Sequence, residues 1–149
     1  MKKENQNQQD VVSCGVGSSW VYSEIVKDHF FNPRNLLLDE TGYVADGEGQ
    51  VGSMACGDVM KVWIKAKNNK ITDCKWRTFG CASAIASTSM MSVMATENGG
   101  MDLEKAKRIK PEQIVDRLNG LPDIKFHCSV LGQEALAAAV EDYLLKNKI

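Results

Sequence analysis

Five cysteines, at positions 14, 56, 74, 81 and 128, carry most of the chemistry this 149-residue chain could do. An odd number leaves at least one thiol outside any internal disulfide, which fits a reducing compartment. Three of the five stand at junctions: Cys56 just before an alternating segment, Cys81 just after its return, and Cys128 at the entry to a long amphipathic stretch. Asp58 follows Cys56 by two residues, and His127 directly precedes Cys128. Three thiolates with one His or Asp satisfy a tetrahedral zinc ion, and the same set could hold a [2Fe-2S] cluster with one non-cysteine ligand. The donors alone do not choose between the two. No pair is spaced C-x-x-C, so the pattern is not that of a zinc ribbon, a ferredoxin loop or a thioredoxin-like motif. A Cys-His hydrolase is the weakest alternative, because adjacent residues project differently from regular structure and no nucleophile elbow accompanies them.

The other candidates read as structural. Cys74 lies inside ITDCKWRTF with Trp76 and Thr78 on its own face, as a buried hydrophobe would. Cys14 lies in a polar stretch, and His29 recurs with the apolar face of a helix, as a packed or capping histidine does.

The elements that must position the three thiols follow from periodicity. Tyr22, Ile25, Val26, His29 and Phe30 recur at helical spacing from a cap at Ser19 until Asn32-Pro33. Residues 42–54 suggest a strand with loops. From Asp58 to Lys67 the alternation puts Met60, Val62, Ile64 and Ala66 on one face and Lys61, Lys65 and Lys67 on the other. Asn68-Asn69 can take the positive backbone angles of a tight turn, with Ile71 to Phe79 returning. Asp58 and Phe79 are therefore expected at one end of a hairpin, with Cys56 and Cys81 at the same sheet edge.

Ala82 to Thr96 predicts a helix full of small residues, ended by Gly99-Gly100. Two short helices follow over 102–109 and 111–119. An extended segment then leads through Phe126 and His127 to a final helix from Ser129. A thiol at that helix start has its thiolate favoured by the helix dipole. The expected fold is α+β, a small antiparallel three-stranded sheet with helices packed on one face. Residues 1–18 read as a flexible N-terminal tail and 19–149 as a single domain.

Composition removes several function classes. Eighteen Lys and Arg against nineteen Asp and Glu give a net charge of -1 with no basic, aromatic-rich surface, so nucleic acid is not an expected partner. The apolar stretches fall short of the roughly 20 residues that cross a bilayer, and MKKENQNQQD lacks the apolar run of a secretory signal. A cytoplasmic protein is expected. A chain of this size buries about 70% of the surface it exposes when unfolded, so it needs no metal merely to have a core.

The strings MACGDVMKVWI at Cys56, TFGCASAIASTS at Cys81 and LPDIKFHCSVL at Cys128, in this order, resemble the iron-sulfur cluster assembly scaffold family, IscU and the N-terminal domain of NifU. YSEIVKDHFFNPRN, Tyr22 to Asn35, resembles the family's first helix. The resemblance implies that Cys56, Cys81 and Cys128 accept sulfur and ligate the cluster, with Cys56 and Cys128 as persulfide acceptors. It implies that Asp58 tunes cluster lability and that His127 is an alternative or additional ligand. Leu121, Pro122, Asp123, Ile124 and Lys125 resemble an L-P-P-V-K motif read by an Hsp70/J-type chaperone, with Asp123 in place of the second Pro and Ile124 in place of Val. Met54 and Ala82 also depart from the usual Pro and Gly, and neither change removes a donor.

A non-catalytic scaffold is thereby implied, one that builds a transient [2Fe-2S] cluster from iron and from sulfur given by a cysteine desulfurase of the IscS/NifS type. Apo iron-sulfur proteins would receive the cluster, and zinc could occupy the apo form. Tyr22 lies in the region by which the family dimerises or docks, so the chain is expected to be a monomer or homodimer. The alternative is a SufU-like zinc-dependent sulfurtransferase. That branch usually has a basic residue where His127 stands and a long insertion that this chain lacks.

Overall fold

The structure, a computed structural model, describes residues 22–52, 59–121 and 126–147, with 126–129 described through their backbone alone. Helix α1 spans Glu24–Phe31. Strands β1 (Gly47–Gly52), β2 (Val59–Lys67) and β3 (Lys70–Phe79) follow, then helix α2 (Ala82–Thr96) and a 3-10 turn, Glu97–Gly99. Helices α3 (Leu103–Lys107), α4 (Pro111–Arg117) and α5 (Phe126–Lys146) complete the order. Among the described residues no helix is long and apolar enough to cross a membrane.

The strands form one antiparallel sheet in the order β1-β2-β3. Asn68 and Asn69 make the β2-β3 turn at φ 56° and 65°, a region that asparagine tolerates because its short polar side chain bonds locally. Met60, Val62 and Ile64 of β2 and Cys74 and Trp76 of β3 are fully buried on the face covered by α2 and α5. The expected sheet with helices on one face is therefore present.

Its other face is less open than the lysine alternation implies. Trp63 is only 2% exposed there. Lys61 Nζ and the Arg77 guanidinium sit 5.1 and 5.6 Å from its ring, a cation–π arrangement. Glu40 pairs with Arg77 at 3.2 Å and Glu48 with Lys61 at 3.3 Å, which holds both cations in place. The edge of β3 is closed as well, because Leu37 N–H donates to the Trp76 carbonyl at 2.8 Å. A covered edge cannot template pairing with another chain.

Helix α2 is buried almost all round, and its hydroxyls find partners inside the protein, as buried polar groups must. Ser83 Oγ donates to the Tyr22 hydroxyl at 3.1 Å, His29 Nδ1 lies 2.7 Å from Ser89 Oγ, and Asn35 Nδ2 donates to Ser92 Oγ at 2.9 Å. Residues 22, 29 and 35 thus meet 83, 89 and 92 in order, so α1 and α2 run in the same direction.

Three sequence expectations shift. The cap of α1 is Ser23, not Ser19, because the Ser23 hydroxyl accepts Val26 N–H at 3.1 Å while donating to the Leu118 carbonyl. Residue 19 itself lies outside the described residues. Tyr22, expected on a docking surface, is 2% exposed and belongs to the core, with its hydroxyl bonded by Ser83 of α2. Helix α5 begins at Phe126 rather than Ser129, so His127 and Cys128 stand in its first turn and not in an extended approach. The apolar phase of Leu131, Ala135 and Ala139 extends back through position 128, and no Pro or Gly interrupts it there.

His29 is packed, as its place on the apolar face of α1 suggests. Arg34 N–H donates to Ser89 Oγ at 2.9 Å, which leaves the Ser89 hydroxyl proton for a neutral His29 Nδ1. Burial, aided by the Arg34 charge, holds the imidazole below its ordinary value of 6.5. The folded protein therefore binds fewer protons here than the unfolded chain as pH falls below about 6.5, so this contribution to stability is complete above that pH and lost below it. The unfolding free energy from urea curves measured from about pH 7 to pH 5 should fall by at most about 1.4 kcal/mol per pH unit from this group. His29→Asn should flatten that slope, and an unchanged slope in the variant contradicts the assignment.

Candidate functional site

The β2-β3 register pairs Val59 with Phe79, and the β1-β2 register pairs Gly52 with Val59. One end of the sheet thus carries the end of β1, the start of β2 and the end of β3. Gly80 and Cys81 follow directly, and Cys81 is the N-cap of α2, half-buried, with extended backbone at φ -80° and ψ 173°. Its side chain makes no cap hydrogen bond to the first turn, and that turn carries no acid. The partial positive charge of the helix start therefore lies beside this thiol.

What brings α5 to the same end is a pair of glycines. A Cβ at Gly47 would lie 2.4 Å from the Ala139 carbonyl oxygen and 2.9 Å from Tyr143 Cβ. At Gly49 it would lie 2.5 Å from the Ala135 carbonyl oxygen and 2.7 Å from Ala138 Cβ. Only glycine lets the helix backbone settle this close to the strand. Moving two residues along β1, about 6.6 Å, moves four residues back along α5, about 6 Å. The helix therefore runs antiparallel to β1. Continuing from Gly49 to Gly52 covers about 10 Å of strand, which matches the about 10 Å of helix from Ala135 back to Cys128.

The first turn of α5, with His127 and Cys128, is thus level with the Gly52–Val59–Phe79 end, a few residues along the chain from Cys81. The sequence permitted this meeting without requiring it. Helix α1 begins there too, since Tyr22 meets Ser83 in the first turn of α2. Three helix starts converge, and all favour negative charge. Leu121, half-buried against the core, leaves α4 three residues after Leu118, whose carbonyl bonds the Ser23 cap.

Cys56 and Asp58 fall in the segment between Gly52 and Val59, and Pro122, Asp123, Ile124 and Lys125 in the segment before α5. Both segments lie outside the described residues, as does Cys14. Among the described residues no group of three or more His, Cys, Asp or Glu gathers to hold a metal.

Cys74 is fully buried between β2 and the helices, and that burial pushes its thiol up to about 12. It is an inert core residue, as its strand position indicates. Gly47, Gly49 and Gly132 escaped notice as positioning residues. Their signal is glycine where strand and helix propensities disfavour it.

The chain matches the family model for the NifU-like N terminal domain over residues 21–149. The iron-sulfur cluster assembly scaffold protein IscU 1 of Archaeoglobus fulgidus is 47% identical over 127 residues, 85% of this chain and 79% of that protein. The IscU scaffold protein of Haemophilus influenzae is 45% identical over 126 residues, 84% of this chain and 97% of that one. In fold, the chain is similar to the N-terminal NifU-like protein of Brucella abortus, with a TM-score of 0.60 at 18% identity, covering 93% of this chain and 99% of that one. A family model spanning nearly all of the chain, relatives this similar and this fold place it plainly: the chain belongs to the NifU-like N-terminal domain family.

Proposed function

We propose that this protein is a scaffold on which iron-sulfur clusters, [2Fe-2S] in form, are assembled and from which they are passed on. The cluster is cargo, and the protein acts as carrier and not as catalyst. The observation that carries the reading is the convergence of Cys81 and the starts of α2 and α5 at one sheet end. Residues 19–149 act as one domain, with 1–18 as a tail outside it, in the cytoplasm.

Cys56, Cys81 and Cys128 supply thiolates, and Asp58 or His127 the fourth donor. A site built to keep its cluster uses four thiolates in dry surroundings, whereas an oxygen or nitrogen ligand in the fourth position exchanges more readily. Sulfur arrives when the Cys56 or Cys128 thiolate attacks the terminal sulfur of a persulfide on a cysteine desulfurase. A new S–S bond forms on the scaffold, and the desulfurase thiolate leaves with the electron pair of the broken bond. Two electrons from an external low-potential donor then reduce that sulfur to the sulfide of the cluster. The segment 121–125 is where an Hsp70/J-type chaperone engages for release to apo iron-sulfur proteins.

Asp58→Ala, which removes the exchangeable oxygen donor, should slow cluster transfer to an apo-ferredoxin by about 10-fold, the scale of effect that ligand-tuning groups have. Transfer followed by the growth of the ferredoxin visible spectrum checks this. Equal rates for the two proteins would mean that Asp58 has no part in lability.

A further inference from the structure

Gly132 sits inside α5, where glycine is less favourable than alanine. Its surroundings explain why it is there. A Cβ at this position would lie 3.1 Å from Thr88 Oγ1 of α2 and 3.6 Å from Met91 Sδ, so the two helix backbones approach closely at this crossing. Thr88 is fully buried and is not a loose neighbour, since its hydroxyl donates to Met60 Sδ at 3.2 Å. Met60 is itself fully buried in the second position of β2, beside the sheet end where α2 and α5 begin. The crossing lies two turns into α2 after Cys81 and one turn into α5 after Cys128.

We propose that Thr88 and Gly132 form a spacer pair that sets the separation of the starts of α2 and α5, and hence the span between Cys81 and Cys128. The proposal rests on the reading of those cysteines as ligands. Bulk at position 88 is matched by its absence at position 132. A methyl group added at 132 moves the helices apart by a few tenths of an ångström, beyond the roughly ±0.2 Å that metal–ligand distances tolerate. Its cost in packing is offset by the gain in helix propensity, so the ligand span changes while stability hardly does. Removing the Thr88 side chain beyond Cβ lets the helices close or rock, and also spoils the span. Thr88 and Gly132 are positioning residues, since they act through the two thiols.

The test uses cobalt(II) alone, titrated anaerobically into the full-length protein, Gly132→Ala, Thr88→Ala and the double variant. The thiolate-to-cobalt absorbance and the urea midpoint are read on the same samples. Each single variant should bind cobalt about 10-fold more weakly, the scale of ligand-positioning groups. The midpoint of Gly132→Ala should stay close to that of the parent, and the double variant should recover affinity to within about 3-fold, as exchanging bulk between paired positions restores the fit. Unchanged affinity in both single variants, or no recovery in the double, overturns the proposal. Thr88→Ala keeps the comparison open even if Gly132→Ala does not fold. A parent protein that binds no cobalt overturns the reading of the cysteines as ligands, and with it this proposal.

Discussion

Gly49→Val will destabilise the protein by about 3 kcal/mol or more, the upper range for forcing bulk into a packed interior. The β-carbon alone would sit 2.5 Å from the Ala135 carbonyl oxygen and 2.6 Å from the Ala139 nitrogen, both backbone atoms that cannot swing aside. Valine adds two methyl groups to that overlap. Helix α5 must lift from β1, and the buried contacts of Ala135, Leu136 and Ala139 loosen with it. For a domain of this size the loss corresponds to a fall of about 6 to 12 °C in melting temperature. Gln50→Val, one residue on and exposed on the other face, should change stability by less than about 0.5 kcal/mol. Urea unfolding of the two variants makes the comparison, and equal stabilities would contradict the glycine-lined seat of α5. The same substitution should abolish cluster retention, because it parts Cys128 from the hairpin end.

Cys81→Ala will reduce the cluster bound after reconstitution to less than about a tenth of the parent's, since a lost thiolate leaves the iron short of a ligand. Its fold should survive, because Cys81 is a half-buried cap residue whose side chain makes no cap hydrogen bond with the first turn of α2. Cys74→Ala should behave in the opposite way. It removes a fully buried side chain beside Ile64, with which it is paired across the β2-β3 ladder, at a cost of about 1 kcal/mol. Cluster content should remain that of the parent. Absorbance and iron analysis on both variants, with a urea curve for each, separate the two roles. Loss of cluster in both would mean that Cys74 takes part in a way its burial and its high thiol pKa do not accommodate.

Local chemistry made much of this fold legible. Asn68-Asn69 signalled a turn because few residues accept positive φ at two successive positions, and the apolar alternation of β2 named its buried face correctly at Met60, Val62 and Ile64. Helix α2 was bounded by Gly80 before it and Gly99-Gly100 after it, and it runs over Ala82–Thr96 as expected. Cys74 and His29 were recognised as structural from the faces they occupy.

What stayed hidden depends on tertiary contact. A strand is expected within residues 42–54 and β1 is there, but propensity does not say that two of its glycines admit the backbone of α5. Trp63 lies on a face of lysines, and its burial needs Lys61 and Arg77 to close over it, which alternation cannot encode. The start of α5 lies three residues before the one the sequence suggests, because Phe126, His127 and Cys128 carry no cap signal. For the site, the sequence located Cys81 beside the hairpin end, but the arrival of Cys128 there follows only from the register of α5 along β1.

Convergence of helix starts with thiols at one sheet end suits an anionic cluster, and the central claim is that a cluster is what the protein holds. Anaerobic reconstitution with ferrous iron, cysteine and a cysteine desulfurase, followed by visible absorbance and by iron and sulfide analysis, tests that directly. The account predicts a visible chromophore with iron and sulfide in about equal amounts, which leaves the protein when an apo-ferredoxin is added. A colourless protein that retains one zinc ion and accepts persulfide sulfur would contradict it.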